Sequence, residues 1–300
     1  MTRALVPLSF HVSPRRSAAN AVRRRIWRWL YARALADLGS FYCDPRDHIG
    51  SERIIMGARY ESATLAVLDS VITGLGLGKG AALDVGANIG NHACWFAERF
   101  DNVLCVEPGK VASMVLEANL YARKIRNTSV HRCALGSCEG AGFLDMVSED
   151  NLGSSVVRKC GGEGEFRILR GDDFVSEVAG GNAHIEVVKI DVEGGEVEVV
   201  QGLTGVLAQY QPLVCVEVLD GERWCHLKES LTGVGYTSWY VIHADPNRNR
   251  MWSRLRTIWR GTSYRLIRLP EVFRTGGYDM IFCMTEQQRA RIESVFSIAH

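Results

Sequence analysis

The feature that most constrains this chain is a rhythm that sets in near residue 55, where short β-rich runs alternate with stretches of helical pattern. "AALDVG" is a strand and "NHACWFAERF" a helix; "NVLCVEP" is a strand and "VASMVLEANLYARK" a helix; "SVHRCALG" is a third strand. Alternation of this kind builds βαβ units, and therefore a parallel sheet with helices on both faces. The middle of the chain departs from it. "AGFLDMV", "SSVVRK" and "EFRILRG" are short strand-like runs separated by Gly, Asn and Ser, which predicts a small antiparallel insertion. The rhythm then returns with strand "IEVVKIDV", helix "GEVEVVQGLTGVLAQY", strand "PLVCVEVL", helix "RWCHLKESLTGVG" and the strands "YTSWYVI" and "DMIFCM".

Composition narrows the class further. At 300 residues and 47% hydrophobic, the chain can bury the core of one large α/β domain. A net charge of +1 argues against a uniformly basic nucleic-acid binder. The nine cysteines contain no C-x-x-C pair, so neither a zinc pattern nor a disulfide framework is indicated, and a reducing cytoplasm is expected. No apolar run is long enough to span a bilayer. The apolar patch "ALVPLSFHV" is short and broken by Pro7, so no secretory signal is expected either.

The domain reading is a basic extension over 1–50 and one domain over 51–300. Within the extension, "VRRRIWRWLYARALADLG" is predicted as a basic amphipathic helix that can meet a partner or a membrane surface. Residues 244–276 form a long insertion rich in arginine and tryptophan (Arg248, Arg250, Trp252, Arg254, Arg256, Trp259, Arg260). It reads as a lid for an anionic acceptor, as an RNA contact, or as an ordinary surface or dimer segment.

The candidate site lies at "ALDVGANIGN", where a strand ends in Asp84 and turns into a helix through Gly86 and Gly90. Open α/β sheets bind ligands at such carboxyl-terminal strand ends. Gly86 permits the sharp turn, and Gly90 brings the next helix and its amides close. The D-x-G-x-x-x-G spacing differs from the G-x-G-x-x-G of dinucleotide sites, and a carboxylate at Asp84 opposes a pyrophosphate. It suits a ligand with an ammonium and a sulfonium, as in S-adenosylmethionine (SAM). Glu107, at the end of the second strand, is placed to accept hydrogen bonds from a ribose diol. A side chain at Gly86 is expected to fill ligand space, so Gly86→Val should abolish binding and leave the domain folded.

"LDVGANIGNH", "VEP", "CALG", "VVKIDVEGGEVEVVQGL" and "PLVCVEV" resemble the FkbM-type family of SAM-dependent methyltransferases. Upstream, "GARYE" (57–61) resembles an element that precedes the first strand in many members. The resemblance implies a Rossmann-like fold with a seven-stranded, mostly parallel sheet, helices on both faces and an antiparallel last strand. It implies O-methyl transfer from SAM to a hydroxyl of a sugar, glycan or natural product. Carried onto this sequence, Asp84, Gly86, Asn88 and Gly90 line the methionine part of SAM and Glu107 holds the ribose. Cys133 and Ala134 flank the adenine, and Asp191 lies under the transferable methyl.

Other candidates have two readings each. His92 is a base or a first-turn packing residue; Glu61 binds the cofactor ammonium or makes an ordering salt bridge. Asn151, in "NLGSS", borders the acceptor pocket or merely forms a turn. Lys189 and Asp191 share a strand face by alternation. Asp191 is the acceptor-hydroxyl base or orienter, with Glu193 and His92 as the other proton acceptors. Asp191 and Glu217, on neighbouring strand ends, can offer oxygens to Mg²⁺, but no spacing singles out a third ligand and no metal site is assigned. The competing functions are a NAD-dependent oxidoreductase, which Asp84 disfavours, an RNA methyltransferase, which the near-neutral charge disfavours, and a degenerate scaffold, which the intact loop and Glu107 disfavour.

Overall fold

In a computed structural model of the chain, the described residues are 22–26, 28–29, 41–43, 59–146, 155–160, 162–178, 184–244 and 264–296. Asn151, residues 57–58 of "GARYE" and positions 245–263 of the Arg/Trp insertion lie outside them, as does most of the amphipathic extension. Residues 22–26 and 28–29 of that extension are helical. Among the described residues, no helix is long and apolar enough to cross a membrane.

Helix α1 (Ser62–Leu75) leads into strand β1 (Ala81–Val85), helix α2 (Asn91–Phe96), β2 (Asn102–Val106), α3 (Lys110–Ala122) and β3 (Thr128–His131). The middle holds β4 (Cys133–Gly136), β5 (Gly140–Met146), β6 (Ser155–Cys160), β7 (Phe166–Arg170) and α4 (Gly171–Val178). Then come β8 (Ile185–Ile190), α5 (Glu196–Gly202), α6 (Thr204–Tyr210), β9 (Leu213–Val218), α7 (Gly221–Gly233), β10 (Tyr236–Ala244), β11 (Tyr264–Arg268), β12 (Tyr278–Thr285) and α8 (Glu286–Val295). The last helix starts at a full capping box of Thr285 and Gln288, which satisfies two orphan amides at its first turn.

One sheet has the order β11-β10-β12-β9-β8-β1-β2-β3. Strands β3, β2, β1, β8 and β9 pair in parallel, and β12 runs antiparallel to both β9 and β10. This is the expected Rossmann-like arrangement with one correction. The sheet has eight strands, not seven, because β11, from the far end of the Arg/Trp insertion, adds antiparallel to the edge at β10.

Both faces are covered, so the central strands read as nearly unbroken apolar runs. Side-chain alternation divides them. Ala81, Leu83 and Val85 of β1 face a core with Phe174, Val199, Leu207 and Leu227 of α4 to α7. Ala82 faces the other core, with Leu68, Phe96, Leu116 and Ile292 of α1, α2, α3 and α8.

Two further expectations are corrected. The single strand "SVHRCALG" is broken at Arg132: β3 ends the large sheet, while β4 starts a second, four-stranded sheet of order β4-β7-β5-β6. Burial drives the break, since Cys133 and Leu135 sink into the α4–α7 core while Ala134 joins Phe166 and Ile168 in a small satellite core. The insertion is antiparallel from β7 through β5 to β6, but β4 joins it in parallel. The helix expected over 195–210 is divided at Leu203. There Gly202 packs so closely on β4 that a Cβ would lie 1.9 Å from the Gly136 carbonyl oxygen.

Candidate functional site

The chain leaves β1 for β2 and β3 on one side and reaches β8 and β9 on the other, so the order reverses between β1 and β8. At the carboxyl ends of these strands opens a cavity of about 550 Å³. Such a crevice is where open α/β sheets bind ligands. Gly86, Asn88, Glu107, Ala134, Asp191 and Glu193 line it, so six of the residues singled out from sequence are brought together. Opposite them stand Leu144, Val157 and Ile168 of the second sheet. From this region the sequence pointed only to Cys133, Ala134 and Asn151; that Leu144, Val157 and Ile168 also wall the cavity came from the structure.

The loop after β1 is held by hydrogen bonds from beneath. Glu107 accepts from the backbone N–H of Asn88 at 2.9 Å through one oxygen and from that of Gly109 at 2.7 Å through the other. Burial pushes its carboxyl above the usual range, and these two N–H groups offset that only in part. Each oxygen keeps a lone pair for a ligand hydroxyl.

Asp84 is placed differently from expectation. Alternation along β1 sends its side chain to the α1–α3 face, where it is fully buried and does not line the cavity. Lys189, its cross-strand neighbour on β8, lies 3.4 Å from Asp84 Oδ1 and 3.1 Å from Asp191 Oδ2. Its ammonium also donates to the Gly86 carbonyl oxygen at 3.3 Å. Burial disfavours charge on Lys189, but the Asp191 and Asp84 carboxylates outweigh it and hold the lysine protonated. One cation serves two acids, and burial leaves the Asp84 carboxyl raised despite the lysine. Both Asp84 oxygens, Asn88 Oδ1 and His92 Nε2 are buried without a hydrogen-bond partner among the described residues.

His92, in the first turn of α2, stands in the same polar cluster and off the cavity, with Nε2 3.4 Å from Glu61 Oε2. Burial, reinforced by Lys189, lowers its pKa to about 3, so the ring is neutral near pH 7. Glu61, at the start of α1, meets this neutral ring, so the contact is not an ion pair near pH 7. Cys133 faces the core and Gly90 the α3 helix through Leu116; neither lines the cavity.

At the mouth, Asp191 is about a third exposed. Burial opposes its ionisation, but the Lys189 charge and a hydrogen bond with Glu217 win, so its carboxyl sits below the usual range. Glu193 occupies a left-handed turn at φ 52 and lines the cavity. Burial and the neighbouring Asp191 and Glu196 carboxylates push its pKa up. Gly86, at φ +79, has its own reason to be glycine: a Cβ would lie 1.7 Å from the Asp191 carbonyl oxygen. That corrects the expectation that a Gly86 side chain would only fill ligand space.

Residues 84–231 match the family profile described as a methyltransferase FkbM domain. The hexuronic acid methyltransferase AglP of Haloferax volcanii is 34% identical over 142 residues, which cover 46% of this chain and 55% of that protein. The chain thus spans about half the length of this curated relative. Among solved structures, methyltransferase FkbM from Methylobacillus flagellatus KT aligns with a TM-score of 0.42 and 13% identity, over 88% of this chain and 60% of the other. A precorrin-6y C5,15-methyltransferase from Geobacter metallireducens aligns at 0.44 and 11%, over 83% and 96%. At those scores the likeness is loose, and the fold is read from the strand order itself. With the glycine loop, the carboxylate after β2 and the "VVKIDVEGGEVEVV" strand-to-helix segment all inside the matched span, residues 84–231 form a methyltransferase FkbM domain.

Proposed function

We propose that the protein transfers a methyl group from SAM to a hydroxyl group, on a sugar or another hydroxylated small molecule. The observation that carries the reading is the cavity at the strand-order reversal, with Glu107 at one end and Asp191 and Glu193 at the other. The residues present fit SAM. Glu107 offers free lone pairs to a ribose diol, Ala134, Leu144, Val157 and Ile168 offer an apolar slot to adenine, and the unpartnered Asn88 Oδ1 offers an acceptor to an ammonium. The carboxylates of Asp191 and Glu193 favour a cationic sulfonium and repel the pyrophosphate of a dinucleotide. When bound, SAM supplies an electrophilic methyl group.

An alcohol is a weak nucleophile near neutral pH, so this chain must position it and accept its proton. Asp191, held ionised by Lys189, is suited to orient the hydroxyl by accepting its hydrogen bond and is a poor proton acceptor. Glu193, with its raised pKa and its place on the cavity wall, is the better general base. His92 is too deeply buried and too weakly basic for that role. The similarity to a hexuronic acid methyltransferase favours a sugar as acceptor. Calorimetric titration with SAM, S-adenosylhomocysteine and NAD tests the cofactor: saturable binding of the first two is expected, and binding of NAD alone would overturn the assignment.

A further inference from the structure

Strands β8 and β9 are in register with Lys189 opposite Cys215 and Ile190 opposite Val216. Two residues beyond the first of these pairs, Asp191 and Glu217 therefore stand side by side, on the same face as Lys189. That register sets their carboxyl groups close enough to share a hydrogen bond, one that each group's ionisation registers. Neither oxygen of an ionised carboxylate can donate, so a bond between two carboxyls requires a proton on one of them. Two carboxylates this close do not both ionise.

Where the proton resides follows from the neighbours. Lys189 Nζ is 3.1 Å from Asp191 Oδ2 and stabilises negative charge there. Its other close carboxylate is Asp84, not Glu217. The charged groups facing Glu217 are Asp191, Glu193 and Lys189. Two of the three are acidic, and the lysine is already shared between Asp84 and Asp191. Burial adds to the same effect, and the Glu217 carboxyl is pushed far above the usual range.

We propose that Glu217 is a positioning residue: it stays protonated at neutral pH and donates a hydrogen bond that, with the Lys189 ammonium, fixes the Asp191 carboxylate at the cavity mouth. Held by two donors, Asp191 keeps its remaining lone pairs for a hydroxyl of the acceptor. Glu217 itself neither takes nor gives up a proton during turnover. Its service to catalysis rests on the methyl transfer proposed above; the shared proton does not.

The test uses the full chain and needs no acceptor. Infrared difference spectra at neutral pH between wild type and Glu217→Gln should show the carbonyl band of one protonated carboxyl, present in wild type and absent from the variant. Glutamine keeps size and a donor, so the variant should fold and melt like wild type. In Asp191→Asn the same band should also vanish, because Glu217 then loses its like-charged neighbour and Lys189 loses its stronger partner. A difference spectrum in which Glu217→Gln removes only an ionised carboxylate band, and no protonated one, overturns the proposal. Titration of the same samples with SAM separates the two readings: absent SAM binding with the protonated band intact refutes the cofactor and leaves the proton assignment standing.

Discussion

Gly86 is turned so tightly against the end of β8 that a Cβ on it would stand 1.7 Å from the carbonyl oxygen of Asp191. The loop after β1 and the mouth of the site are thus one packed unit, and no L side chain fits at φ +79 without moving one of them. Gly86→Ala is expected to destabilise the whole domain by about 4 kcal/mol or more. Thermal unfolding followed by circular dichroism checks this. A variant that melts within about 2 °C of wild type would show that the loop relaxes freely.

Glu107 joins the same loop to the ligand space, since its two oxygens hold the amides of Asn88 and Gly109. Replacing it by alanine removes both anchors and the candidate ribose acceptor together. Glu107→Ala should weaken SAM binding at least tenfold, about 1.4 kcal/mol. Titration calorimetry against wild type measures it, and unchanged affinity would place the ribose elsewhere.

Asp191 and Glu193 have different tasks in the proposed transfer, because their surroundings push their pKa values in opposite directions. Glu193→Gln should lower kcat by about 10²–10⁴-fold, the usual range for a general base, and flatten the acid limb of the kcat profile. Asp191→Asn should also lower kcat but keep that limb. Steady-state rates across pH distinguish them, and an unaltered limb in Glu193→Gln would move the base to another group.

His92 gives a pH signature in stability. The unfolded chain takes up its proton near 6.5, but burial delays this to about 3 in the folded state. The unfolded state binds more protons between those values, so stability attributable to His92 is lost as pH falls through that window. The slope is at most about 1.4 kcal/mol per pH unit. Urea unfolding of wild type and His92→Gln at neutral pH and near pH 5 tests this: the stability of wild type relative to the variant should shrink on acidification. Parallel losses in the two proteins would show that His92 is not held neutral.

The layered fold and the place of the candidate site were legible in the amino-acid order alone. The period-two and helical patterns, the glycine loop at Gly86 and the acid at Glu107 are local features, and local spacing reports them directly. It also placed Lys189 and Asp191 on one strand face, where the structure finds them 3.1 Å apart. Tertiary structure decided the rest. That Asp84 lies beneath the loop and off the cavity depends on which face of β1 the helices α1 to α3 cover. That "SVHRCALG" divides between two sheets depends on Cys133 and Leu135 finding a core with sequence-distant residues such as Leu83, Phe174, Leu207 and Leu227. The partnership of Asp191 and Glu217 arises from the register between β8 and β9. Each of these is a contact across long sequence separation, and burial by distant residues, not local spacing, sets which side chains meet and which proton they hold.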